Sequence, residues 1–236
     1  MAKEMITSKA YPNFSYEKGM YGDVDVEVFD TGMCPTCEDE LDQFEAATRI
    51  APITLDDGRK IMVCRDCYLD WLREKIFEDE GNGKAGLKRF YHMCEKSHYI
   101  KYLIDDWKTL LDELPEMWLG WIWDSLESNL IHDFKWFWIP AWDYINENNI
   151  KVMSDEDIEY WESLPDEITI YRGGGHEDGL CWTLDKEKAE WFSTRFHDED
   201  DANVWVRTVK KSDCAAYHSG RGESEVIYLE LAREGV

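Results

Sequence analysis

Ile168-Thr169-Ile170-Tyr171-Arg172-Gly173, then Gly179-Leu180-Cys181-Trp182-Thr183, then Gly222-Glu223-Ser224-Glu225-Val226-Ile227 are the segments whose reading decides the fold of the C-terminal part of this chain. The first reads as a strand that ends on an arginine and a run of glycines, so a fixed guanidinium stands beside a backbone with no side chains to hinder a ligand. Such a site suits a phosphate-bearing ligand. In the second, a short strand delivers Thr183, and the segment from Asp185 repeats apolar residues at Ala189, Phe192 and Phe196, a helical spacing after an acidic start. In the third, Glu223 and Glu225 stand two apart on a strand expected to continue through Val226, Ile227, Tyr228 and Leu229, which predicts both carboxylates on one face.

In content and order these residues resemble the mono-ADP-ribosyltransferases of the arginine, serine-threonine-serine, glutamate-x-glutamate class, which includes cholera-like toxins and vertebrate arginine-specific transferases. Tyr171-Arg172-Gly173 looks like the arginine motif. Cys181-Trp182-Thr183 with Ala189 and Phe192 looks like the serine-threonine-serine strand and its helix, with Cys181 and Trp182 in place of the serine and the first threonine. Glu223-Ser224-Glu225-Val226 looks like the catalytic glutamate motif. The resemblance covers the last quarter of the chain and implies NAD as substrate, bound in a cleft between two small sheets on which the helical part packs. It further implies that Glu225 hydrogen-bonds the nicotinamide ribose and stabilises the oxocarbenium-like state, and that Glu223 engages the acceptor, with arginine the acceptor type. Arg172 would hold the pyrophosphate or ribose, Gly173 would admit it closely, and Thr183 would fix Glu225 by a hydrogen bond. Phe192 is read as a packing residue.

Plainer readings stand beside this one. Glu223 and Glu225 also fit two solvated residues on the polar face of an edge strand, and Arg172 fits a surface cation. The alternatives to a transferase are a non-catalytic zinc-ribbon interaction protein on an ADP-ribosyltransferase-like scaffold, and an NAD glycohydrolase with water as acceptor.

Composition narrows the partners. The chain has 236 residues with 44% hydrophobic content, enough to bury a core. Its formal charge of −25, from 51 acidic against 26 basic residues, would repel a phosphate backbone and favours a protein target over nucleic acid. No apolar run has the length of a membrane span, and Met1-Ala2-Lys3-Glu4 lacks an apolar signal core, so a cytoplasmic protein without a membrane partner is expected.

Four of the seven cysteines form Cys34-Pro35-Thr36-Cys37 and Cys64-Arg65-Asp66-Cys67. Two such knuckles supply the four thiolates of a closed, structural zinc site. Between them Ile53–Leu55 and Lys60–Val63 flank Asp56-Asp57-Gly58-Arg59, which reads as a hairpin feeding the second knuckle, and a helical insert is expected over Glu38–Ala47. A disulfide is the competing reading. His92, Cys94 and His98 are a weaker candidate for a second cluster and read as ordinary helix residues.

A helix is expected from Tyr68 to Asp79, followed by a hinge at Gly81-Asn82-Gly83-Lys84-Ala85-Gly86. From Leu87 to about Leu164 the pattern is helical and aromatic, with stripes through Tyr99, Tyr102, Leu103 and Trp107 and through Trp118, Ile122 and Leu126 that read as core. Pro140 is expected to end or kink a helix, and Ser154 to cap one that closes at Pro165. The fold class that results is α+β: a zinc ribbon over 1–80, a Trp-rich helical subdomain over 81–165 and a split-sheet catalytic lobe over 166–236, with 81–236 forming one domain.

Overall fold

The computed structural model describes residues 4–42, 45, 48–126, 128–174, 176–195 and 203–233. The chain is mixed helix and strand and divides into two compact units, Met1–His92 and Met93–Val236.

In the first unit β1 (Met5–Thr7) pairs antiparallel with β2 (Ser15–Glu17), and α1 (Val28–Thr31) stops at Gly32, whose φ of 76° is the left-handed cap that glycine takes without strain. Next, β3 (Ile50–Thr54) and β4 (Lys60–Cys64) form the expected hairpin, turning at Gly58 with φ 83°. Helix α2 (Arg65–Glu80) starts directly from the end of β4, and α3 (Lys84–Met93) follows. Tyr11, Val28, Phe29 and Met62 make one apolar cluster, and Ile53 and Val63 pack with Cys34 and Cys64 in another. The helical insert read over Glu38–Ala47 lies in part outside the described residues.

The segment read as a hinge is a tight corner between packed helices. A Cβ on Gly86 would meet the Gly81 carbonyl oxygen at 1.9 Å, and the Phe77 and Phe90 rings meet edge to face at 6.3 Å. Those contacts fold α3 back on α2, so the division of the chain falls after His92, not at Gly81.

The second unit opens with α4 (Tyr99–Glu113), a π-helical turn at Trp118–Trp123, α5 (Ser128–Asp133), α6 (Lys135–Glu147) and α7 (Asp155–Ser163). The i→i+5 bonding of a π turn brings residues five apart toward one side. Trp118 and Trp123 accordingly both pack against Trp138 and Trp142, with ring centroids 5.2–6.3 Å apart in edge-on pairs. All four are fully buried, so the aromatic stripe is core. Such pairs add about 0.5–1.5 kcal/mol each beyond their burial. Helix α6 runs through Pro140 instead of ending there. Pro140 and Trp136, whose carbonyl loses its i+4 donor, are both exposed, so water can take up the orphaned group. Ser154 caps α7 by accepting from Asp157 N at 3.1 Å, as expected.

The rest is β5 (Glu167–Gly173), β6 (Cys181–Thr183), α8 (Lys186–Arg195), β7 (Val204–Lys210), β8 (Cys214–His218), β9 (Glu225–Tyr228) and α9 (Glu230–Arg233). Where two small sheets were expected, these strands form one five-stranded sheet in the order β7-β5-β6-β9-β8, with every neighbouring pair antiparallel. The long pairing of β5 with β7, from Glu167↔Lys210 to Gly173↔Val204, is what joins them. One face carries Ile168, Ile170, Trp182, Tyr217, Val226 and Tyr228, covered by Met153, Trp161 and Leu164. Among the described residues no helix is long and apolar enough to cross a membrane.

Candidate functional site

The first unit brings its two knuckles together. Cys34 and Cys37 lie on a turn closed by Glu38 N donating to Cys34 O at 2.9 Å, with Glu38 itself at φ 62°. Cys64 ends β4 and stands immediately before the first residue of α2, which puts Cys67 in the first helical turn. The four sulfurs lie within 4.8 Å of one another, close enough to bind one metal ion. Burial works against a thiolate at Cys34, but backbone N–H groups from Cys37, Cys64 and Thr36 bring its pKa down to about 7. Burial pushes Cys37 up to about 12 and Cys67 up as well. Four crowded thiols of which one ionises readily are a site arranged for a cation. Among the described residues no second such group exists, so His92, Cys94 and His98 do not make one.

In the second unit the three C-terminal segments meet on adjacent strands. Tyr171 of β5 pairs with Thr183 of β6, Thr183 with Glu225 of β9, and Glu225 with His218 of β8. Cross-strand partners project to the same side, so these residues form one row on the face opposite the Ile170–Trp182–Val226 core. Two of them were not foreseen in their setting: His218 was not singled out, and Glu225 is only 3% exposed, which rules out a solvated residue on an edge strand.

Glu225 Oε1 accepts from the indole nitrogen of Trp123 at 3.1 Å. Asp124, the next residue, takes His218 Nε2 at 2.8 Å, and His218 Nδ1 stands 3.6 Å from Asp157 Oδ2. The π turn thus serves the site through two consecutive side chains. Arg221 reaches Glu223 Oε2 at 3.3 Å, Asp124 Oδ1 at 3.7 Å and Glu225 Oε2 at 4.0 Å. This buried carboxylate is thus held by the Trp123 indole, with the Arg221 guanidinium at the edge of ion-pair range. Burial raises the Glu223 carboxyl above its ordinary range, with Arg221 opposing and Glu225 adding to the rise.

The two glutamates do not project from one strand face, as their spacing predicted. Strand β9 begins only at Glu225; Glu223 ends the turn Gly220–Gly222, and Ser224 between them has φ 47°. The left-handed Ser224 breaks the alternation, and the two carboxylates are gathered by the shared Arg221. Thr183 does not bond the Glu225 carboxylate. Its hydroxyl donates to Glu223 O at 2.6 Å and accepts from Asp185 N at 3.0 Å, so it fixes the turn before Glu225.

Gly173 also has a different role from the one expected. A Cβ there would lie 1.9 Å from Ala189 O and 2.6 Å from Ser193 N, because α8 crosses the strand at that point. The missing side chain admits a helix, not a ligand. Gly173→Ala must push apart two backbones and is expected to cost about 1–3 kcal/mol, read as a fall in the thermal denaturation midpoint of the full chain.

Arg172 stands outside the row and braces the loop that follows it, donating to His176 O at 2.9 Å and Cys181 O at 2.6 Å. Gly179 passes under the guanidinium, where a Cβ would come within 2.0 Å of Cζ. The His176 ring stacks on His132 at 5.5 Å, and buried Lys135 pairs with Asp178 at 2.5 Å. Burial lowers the His132 pKa, with Lys135 adding to the fall and Asp178 opposing it, so His132 is a neutral ring beside the Arg172 and Lys135 cations. Burial and then the Glu225 carboxylate push the Cys181 thiol well above its ordinary range, with Arg172 opposing, so Cys181 is a neutral donor and not a nucleophile. Trp182 is core, its indole donating to Gly179 O at 3.0 Å. Phe192 packs edge-on against Trp191 at 4.9 Å, while Phe196 lies outside the described residues.

Trp123, Asp124, His132, Lys135, His176, His218 and Arg221 were missed in the sequence. Only Arg221 carried a local signal, a cation between two glycines just before the glutamate pair. Compared with protein-family models, curated proteins and solved structures, the chain matches none.

Proposed function

We propose that this protein is an NAD-dependent mono-ADP-ribosyltransferase that modifies a protein target on arginine, and that its four-cysteine site binds structural zinc. The observation that carries the first part is the row Tyr171–Thr183–Glu225 across three adjacent strands, which unites the arginine, threonine and glutamate motifs around a buried carboxylate. The replacements at Cys181 and Trp182 are compatible with it: the thiol keeps a donor beside Glu225, and Trp182 faces the opposite core.

Cleavage of the bond between nicotinamide and ribose develops positive charge on the ribose. A carboxylate fixed by Trp123 and shielded from water stabilises that charge more than it stabilises neutral ribose, which is the differential binding that catalysis requires. Glu223, with a raised pKa and greater exposure, is suited to take a proton from the acceptor. Arg172, with Lys135 paired to Asp178 on the loop that Arg172 braces, supplies the positive charge for a pyrophosphate. Incubation with labelled NAD and a cell lysate should give a labelled protein band, and its absence together with no nicotinamide release would refute the assignment.

Arg172→Lys probes binding apart from chemistry. Lysine keeps the charge but cannot donate in two directions to His176 O and Cys181 O while facing a phosphate. NAD affinity measured by calorimetry is expected to fall about tenfold or more, the loss of one charge-assisted bond; an unchanged affinity would remove Arg172 from the site.

For the metal, a tetrahedron with Zn–S bonds of about 2.3 Å has edges of about 3.8 Å. The sulfurs of Cys34 and Cys67 are 3.8 Å apart and those of Cys37 and Cys64 3.7 Å apart. Four thiolates leave no open position, so the ion's role is structural.

A further inference from the structure

The two glutamates of the site already face a guanidinium, and it belongs to the chain itself. Arg221 Nη2 stands 3.3 Å from Glu223 Oε2 and 4.0 Å from Glu225 Oε2. The loop is shaped to hold it there. Gly220 packs where a Cβ would fall 2.1 Å from His218 Nε2 and 2.7 Å from Asp124 Oδ2, so the backbone lies directly on that ion pair. Arg221 then takes φ 56°, a left-handed conformation uncommon outside glycine, and Gly222 follows at φ 65°. The turn therefore directs the side chain at the carboxylates, while 41% of it stays accessible to an incoming ligand.

We propose that Arg221 is an intramolecular acceptor, so that the protein transfers ADP-ribose from NAD to its own Arg221. This rests on the transferase reading above. In the step, the bond from ribose C1′ to the nicotinamide nitrogen breaks and its electron pair leaves with neutral nicotinamide. Arg221 loses one guanidinium proton to Glu223, its terminal nitrogen bonds C1′, and the product guanidinium regains the positive charge that the ribose carried. No oxidant or reductant enters. The placement of the acceptor nitrogen between the base and the group that faces the ribose is the near-attack arrangement that makes an intramolecular step fast. Once modified, Arg221 no longer bridges Glu223 and Glu225, so the modification also alters the site that made it.

The test uses the full chain, incubated with NAD and followed by nicotinamide release and by peptide mass spectrometry. The expected result is one ADP-ribose on the peptide bearing Arg221, forming with a half-time independent of protein concentration, and its loss in Arg221→Lys. Nicotinamide release without an adduct at Arg221 would overturn this proposal and leave the transferase standing. An adduct whose half-time shortens as protein concentration rises would overturn the intramolecular step. No nicotinamide release from wild type would overturn both readings. Because the adduct is located on wild-type protein, the result does not depend on how well the lysine variant folds.

Discussion

Glu225→Gln is expected to abolish nicotinamide release, lowering turnover about a hundredfold or more while NAD affinity stays nearly unchanged. Glutamine keeps the volume and the oxygen that accepts from Trp123, so the 3.1 Å bond can persist. What it removes is the negative charge aimed at the ribose. Because Glu225 is 3% exposed, an isosteric neutral residue avoids burying a charge, and a thermal denaturation midpoint close to that of wild type would separate a rate loss from unfolding. Glu223→Gln should behave differently. It should lose transfer to a guanidine acceptor yet keep hydrolysis of NAD, since water needs less help than a protonated guanidinium. Equal nicotinamide release by wild type and Glu225→Gln would remove Glu225 from the chemistry, and no release from either would bring forward a binding protein built on the same sheet. Equal loss of both activities in both variants would keep the enzyme and cancel the division of labour.

Removal of the metal should have the second large effect. In small zinc modules metal binding supplies about 10–16 kcal/mol of apparent folding free energy. The apolar groups packed nearest the four cysteines are few, Ile53 and Val63 among them, and Tyr11–Val28–Phe29–Met62 is a small cluster of its own. Chelation, or Cys64→Ser, is expected to expose the amides of β3, β4 and the start of α2 to hydrogen exchange. Protection should survive in the tryptophan core and the five-stranded sheet, which belong to the other unit. Elemental analysis that finds no metal in protein purified without chelator would sink the zinc assignment. Loss of protection throughout would show that the two units do not fold independently.

The cysteine site was legible because its spacing is local: each knuckle is four residues long, and the hairpin between them follows from Asp57-Gly58 and alternating apolar residues. Strands β5, β6 and β9 were legible for the same reason, as were the Ser154 cap and the burial of the tryptophan stripe. The hinge at Gly81 was misread because glycines mark both flexible links and close packing, and only the contact of Gly86 with Gly81 O separates the two. Of the two outcomes expected at Pro140, an end to the helix is excluded, since the cost of proline depends on whether the orphaned carbonyl can reach water, which its position in the helix decides.

Residue type and short-range spacing therefore determined that two Cys-x-x-Cys units, an arginine strand and a glutamate pair exist, and in what order. The tertiary structure decided which side chains those groups meet. Trp123 and Glu225 are joined across 102 positions of chain, and Asp124 and His218 across 94, distances over which no periodicity survives. It decided as well that Gly173 accommodates helix α8, that Thr183 holds a backbone carbonyl, and that a left-handed Ser224 takes Glu223 off the strand. The physical reason is common to all three. Which strand lies beside which, and which helix crosses them, is fixed by burying apolar faces far apart in sequence, and the polar groups of the site are carried into contact by that packing.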